Sequence, residues 1–154
     1  MITKKILEFL REREFISTGT CDIYGRPNAA PKFILKAENN CIYLVDYIVG
    51  RTCDNIRENP RASLSFINTD TLIGYQINGR VEMIENGQEY QSIIDELDAK
   101  QIDLSAKRII EGVTKGKSHA GFEVGLSEKF VVLKVIIEDV VEINPHGVLN
   151  RERL

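Results

Sequence analysis

The most constraining stretch of the chain is a short helix that is forced to stop. Between Val49 and Phe66, Pro60 disfavours helical geometry at Asn59 and has no N–H to donate, so a helix opening near Arg51 cannot pass Asn59. Beyond the proline, Ala62, Leu64 and Phe66 alternate with Arg61, Ser63 and Ser65, the period-two pattern of a half-buried strand. The helix entrance is equally defined. Gly50 lets the backbone turn tightly and approach a ligand. Thr52 or its neighbour is the expected cap, and Asp54 suits the positive end of the dipole. Backbone N–H groups at a helix start, the Arg51 guanidinium and the Thr52 hydroxyl together are the chemistry of a phosphate site.

The elements around this stretch are mostly strands. Ile6, Leu7 and Leu10, with Ile2 before them, predict a first helix over residues 3 to 13 capped by Thr3, with Arg11 to Glu14 as its solvated end. Phe15 to Asp22, Asn28 to Ala37 and Cys41 to Asp46 read as three strands joined by turns at Tyr24-Gly25-Arg26-Pro27 and Glu38-Asn39-Asn40, an antiparallel meander of the kind that begins a small barrel. Thr71 to Ile84 is a further long strand, with Gly74 and Gly79 marking a bend or bulge. Asn86 and Glu89 resemble a capping box for a helix reaching about Lys100, and Ser105 opens a second short helix ending near Gly112. Phe130 to Ile137 is apolar on both faces apart from Lys134, which predicts a strand buried on both sides or one facing core and a partner subunit. Val140, Val141 and Ile143 continue it until Asn144-Pro145, and His146 to Leu154 reads as a polar surface tail.

At 154 residues without a repeat, low-complexity tract or linker, one domain over residues 1–154 is expected. A net charge of −3 argues against a nucleic-acid partner, and no apolar run is long enough to span a membrane. The N-terminal residues lack the apolar core of a secretion signal, so the cytoplasm is the expected compartment. Cys21, Cys41 and Cys53 are too few and scattered for a disulfide framework, and no Cys-x-x-Cys or His-x-x-x-His spacing suggests zinc. Cys53, in the first helical turn, is the thiol whose pKa the dipole would lower, but without a placed histidine it reads first as packing. Gly112 to Ser118 imitates a nucleotide loop, yet only three residues separate Gly112 from Gly116 where four are needed. A cationic loop holding Lys115, Lys117 and His119 is the expectation there, and His119 and His146 read as lone surface histidines.

The runs Gly50-Arg51-Thr52, Asn55-Ile56-Arg57 and Asn59-Pro60-Arg61-Ala62-Ser63-Leu64 resemble the phosphate-binding helix and following strand of the FMN-binding split-barrel family, the superfamily of pyridoxamine 5'-phosphate oxidase and its flavin-binding relatives. The resemblance extends from the first helix to about Met83. It implies a mainly β fold with flanking helices, a six-stranded antiparallel split β-barrel, and a homodimer with FMN in the groove between subunits. It further implies that Lys32, Phe33 and Ile34 line the flavin ring and that Val45, Asp46 and Gly50 flank the ribityl–phosphate end. Arg51 and Thr52 would then hold the phosphate. F420, used by some relatives, is the second cofactor to consider. Core packing is the competing expectation for Phe33 and Ile34, and a surface position for Lys32.

The chain departs from the oxidase itself. Pro31 stands where that enzyme begins the strand with an arginine, Gly50-Arg51-Thr52 replaces its Ser-Arg-Lys run, and there is no tryptophan. Vitamin B6 oxidation is therefore not expected. The expected function is an FMN-dependent oxidoreductase acting on a small organic molecule, with a non-enzymatic flavin carrier or electron-transfer module serving a redox partner as the alternative. A barrel without flavin, serving as scaffold, is a third reading. No residue stands out as a catalytic acid or base.

Overall fold

The computed structural model describes residues 2–115 and 130–154. In chain order the elements are α1 (Ile2–Arg11), β1 (Phe15–Cys21), β2 (Pro27–Glu38), β3 (Cys41–Asp46), α2 (Arg51–Glu58), β4 (Arg61–Asn68), β5 (Ile73–Ile84), α3 (Gly87–Lys115), β6 (Val131–Ile143) and β7 (Leu149–Arg153). All pairings are antiparallel, in the order β3-β2-β1-β4-β5-β6-β7, and β3 also pairs with β6. That last pairing closes six strands into the expected barrel and leaves β7 as an extension on the outer edge of β6.

The closed barrel has two apolar clusters. Inside it lie Ile34, Ile42, Leu44, Leu64, Ile77, Leu133 and Val135, with Ile6 and Leu10 of α1 packed against them. The second cluster lies outside the wall, where Ile93 and Leu97 of α3 cover Phe33, Leu35, Val45 and Val132. Each such fully buried aliphatic side chain contributes roughly 1.5–3 kcal/mol. This two-sided covering explains why Lys32-Phe33-Ile34-Leu35 is a continuous buried run, and why β6 is apolar on both faces. At that end of β6, α3 covers the outer face.

A bulge shapes the far wall. The β5–β6 register shifts between Asn78 and Gly79, and a Cβ at Gly79 would lie 2.3 Å from the Ile136 carbonyl oxygen. Glycine is required there by close approach.

Several local expectations differ from the structure. Thr3 does not cap α1: it lies inside the helix with a buried, unpartnered hydroxyl, and its N–H donates to Glu152 of β7 at 3.3 Å. The chain beyond Pro145 is therefore a strand as well as a surface segment. Gly147, at φ +82°, makes the turn that folds it back onto β6. Residues 87–115 form one helix where two were expected. The segment 101–104 contains no glycine or proline, and Leu104 packs on the second apolar cluster, so burial carries the helix through. Gly112 to Lys115 are the last residues of that helix, while residues 116–129, with Lys117 and His119, lie outside the described residues. Arg13 and Glu14 are not merely solvated. The Arg13 guanidinium lies over Phe9 (4.4 Å to the centroid) and donates to the Ile67 carbonyl at 2.7 Å, and Glu14 pairs with Arg108 of α3. No described helix is long and apolar enough to cross a membrane.

Candidate functional site

β2, β3 and the entrance to α2 converge on a cavity of about 370 Å³. Phe15, Pro31, Phe33, Val45 and Ile48 make its apolar wall; Asn28, Lys32, Asp46, Arg51 and Thr52 make its polar one. The strand register builds it. Phe33 faces Val45 across β2 and β3, and one step further along the ladder Lys32 meets Asp46. Their Nζ–Oδ1 distance is 2.7 Å, with the side chains only 8% and 2% exposed.

Asp46 ties three elements together. Besides Lys32, its carboxylate accepts the Ile48 N–H at 3.3 Å and the Cys53 thiol at 3.4 Å. β2, the loop after β3 and the first turn of α2 thus share one buried anion. The same contacts overturn the expectation for Cys53. Burial first, then the neighbouring Asp46 charge, push its thiol up to about 11, so the helix dipole does not yield a reactive thiolate.

The α2 entrance is chemically open. Gly50 is its N-cap residue, Asp54 N–H makes the first intrahelical bond to the Gly50 carbonyl at 3.1 Å, and no side chain caps the start. Thr52 is not the cap that was expected. Its buried hydroxyl accepts the Asn28 amide at 3.1 Å, which leaves its own proton to give. The N–H groups of the first turn have no intrahelical partner by geometry, and they face where an anion is favoured. Arg51 is exposed at the cavity rim with no ion pair among the described residues.

Seven of the eight residues named from the sequence line this cavity: Lys32, Phe33, Val45, Asp46, Gly50, Arg51 and Thr52. Ile34 does not. Its side chain is fully buried in the barrel core, its N–H donates to the Glu14 carbonyl at 2.8 Å, and its carbonyl accepts Lys100 of α3. Lys32 is a buried ion-pair member and not the surface residue weighed as an alternative. The sequence reading missed Phe15, Asn28 and Tyr47. Phe15 enters because it pairs with Phe33 across β1 and β2, a register that periodicity alone does not fix. Tyr47 directly follows β3, and its hydroxyl accepts Gln101 Nε2 at 2.7 Å from across the groove. Among the described residues no group of His, Cys, Asp and Glu is placed to hold a metal ion.

Comparison with known proteins agrees with this architecture. An uncharacterized protein of Methanocaldococcus jannaschii is 32% identical over 110 residues, covering 69% of this chain and 72% of that protein. Three solved structures share the fold at low identity. A protein related to general stress protein 26, of the pyridoxinephosphate oxidase family, from Clostridium acetobutylicum has a TM-score of 0.65 at 15% identity, covering 99% of this chain and 94% of that one. A pyridoxamine 5'-phosphate oxidase-related, FMN binding protein from Nostoc punctiforme has a TM-score of 0.57 at 14% identity (99% and 93%). A heme binding protein from Mycobacterium smegmatis has a TM-score of 0.66 at 14% identity, covering 99% of this chain and 58% of that one. The family profile described as Pyridoxamine 5'-phosphate oxidase matches residues 2–142, from the first helix through nearly all of β6. With the barrel closed and that profile spanning it, this chain belongs to the pyridoxamine 5'-phosphate oxidase family.

Proposed function

We propose that the chain is an FMN-binding oxidoreductase acting on a small organic molecule, working as a homodimer with the flavin in the groove between subunits. The observation that carries this is the uncapped start of α2, with Arg51 and the Thr52 hydroxyl beside it, opening into a cavity of about 370 Å³. Those groups fit a terminal phosphate, and the apolar wall of Phe33 and Val45 fits a planar ring. When bound, FMN supplies hydride or single-electron transfer. The protein's part is to orient and to screen. Lys32 and Asp46 neutralise each other beside the ring position, and their interaction fixes the α2 entrance through Cys53 and Ile48.

Titration of the purified chain with FMN, followed by flavin fluorescence, tests the reading. Arg51→Ala removes one charged hydrogen-bond donor, and FMN affinity should fall about 10- to 150-fold. Hemin is titrated in parallel, because one protein of this fold is a heme binder. Unchanged FMN affinity in the variant removes Arg51 from the site. Tighter binding of hemin than of FMN overturns the flavin reading.

A further inference from the structure

We infer that a second, smaller cavity beside the first takes a neutral aromatic carbonyl compound, an aryl ketone, aldehyde or quinone. It has a volume of about 190 Å³, and its lining includes Phe15, Phe33, Tyr47, Gln101, Leu104 and Arg108. Phe15, Phe33 and Tyr47 belong to both cavities, so an occupant of the slot lies against whatever fills the larger one. This inference rests on the flavin reading, because only a flavin there makes the slot a substrate site.

Size comes first. An apolar cavity of about 150 Å³ lodges benzene, so the slot accommodates one ring with a small substituent. Shape is next. Phe15 meets Phe33 nearly edge-on at 5.8 Å and 75°, and Phe33 is tilted against Tyr47 at 6.3 Å and 58°, so ring faces and edges both surround the space. Such walls favour a planar aromatic guest in offset or edge-to-face packing.

Polarity then selects the substituent. The Tyr47 hydroxyl accepts the Gln101 amide and keeps its own proton to donate, and burial pushes its pKa up, so it stays a donor. A carbonyl oxygen is the matching acceptor. A carboxylate is not. Among the described residues of the lining the cation is Arg108, and it is paired with Glu14, so a carboxylate finds no uncompensated charge in the lining. A bare hydrocarbon would leave the Tyr47 donor without a partner.

Acetophenone, ethylbenzene and benzoate distinguish these chemistries, each titrated by calorimetry into the full chain with and without FMN. Acetophenone should bind tightest. Tyr47→Phe should weaken acetophenone about 3- to 10-fold and leave ethylbenzene unmoved, the effect of one neutral hydrogen bond. Leu104→Trp should exclude both while flavin absorbance is retained. Equal or tighter binding of ethylbenzene or benzoate overturns the inference, as does acetophenone binding that Leu104→Trp leaves intact. If Leu104→Trp does not fold, the Tyr47→Phe comparison decides alone, and an unchanged preference for acetophenone overturns it. Flavin retention is read before any ketone is added, so a failure of the flavin reading is seen separately from a failure of the slot.

Discussion

Replacing Asp46 by alanine strands the Lys32 ammonium. The side chains are 8% and 2% exposed and 2.7 Å apart, so the carboxylate is the ammonium's charged partner in a largely buried place. Breaking one side of a buried ion pair typically costs about 3–5 kcal/mol, against at most about 1 kcal/mol for an exposed pair. The Cys53 thiol and the Ile48 N–H lose their acceptor as well, and the cavity left behind adds to the cost. With a urea slope of roughly 2 kcal/mol/M for a domain of this size, the unfolding midpoint should fall by about 1.5–2.5 M. Far-UV circular dichroism across a urea series measures it. A second variant separates charge from packing. Lys32→Met combined with Asp46→Leu removes both charges and keeps apolar volume, and such replacements are often neutral or stabilising, so the midpoint should recover most of the loss. An Asp46→Ala variant losing less than about 1 kcal/mol would show that the pair is solvated, and would refute its role in holding the α2 entrance.

Alkaline pH gives a second test. The Cys53 thiol has its pKa raised from an ordinary value near 9 to about 11, so the folded state keeps a proton that the unfolded chain releases. Stability is therefore full below about pH 9 and is lost as pH rises toward 11, by at most roughly 3 kcal/mol. Urea unfolding at pH 8 and pH 10.5 should show a smaller alkaline loss in Cys53→Ala than in the natural chain; equal losses would remove Cys53 as the cause. Gly79→Ala should lower Tm by roughly 2–12 °C, because its Cβ would meet the Ile136 carbonyl at 2.3 Å and overpacking costs about 1–3 kcal/mol. Gly50→Ala is the contrasting case: its backbone is extended, the nearest added contact is 3.7 Å, and a thermal scan should find Tm within a few degrees.

What was legible in the sequence had a local cause. Pro60 sets where α2 ends, and the alternation after it sets which face of β4 is buried. The Gly25 turn, at φ +77°, with Asp22 accepting the Tyr24 and Arg26 N–H groups, is written in its own residues. What was not legible depends on partners distant in the chain. Glu152 satisfies the first turn of α1 across 149 residues, so Thr3 looked like the cap. Leu104 packs on a cluster that includes residues of β2, β3 and β6, and α3 runs on through the polar residues around it, which by themselves suggest a break. The site shows the same division. Arg51 and Thr52 follow from their neighbours, whereas Tyr47 enters through Gln101, 54 residues later. Ile34 packs in the barrel core while its neighbours Lys32 and Phe33 line the cavity, a division that a continuous buried run does not reveal in the sequence.

On the proposed flavin reading, the pairing of charges in the groove also selects how the ligand lies in it. Lys32 is cancelled by Asp46, and Arg108 by Glu14. Asp54, the acidic residue in the first turn of α2, is turned toward Arg57 at 3.6 Å. Among the described residues lining the two cavities, Arg51 is thus the cation without an ion pair, and it stands at the positive end of the α2 dipole. An elongated molecule with one anionic end therefore has a single favourable orientation, its anion at Arg51 and its apolar body along Val45 and Phe33. Reversing it would bring the anion to the aromatic end, away from the α2 dipole, and leave Arg51 to water. Moving the cation tests this directly. A chain carrying Arg51→Ala together with Glu14→Gln has its uncompensated charge at Arg108 instead, and should bind FMN no better than Arg51→Ala alone, because Arg108 has no helix start beside it. Recovery of affinity in the double variant would show that net charge, and not the α2 entrance, governs binding.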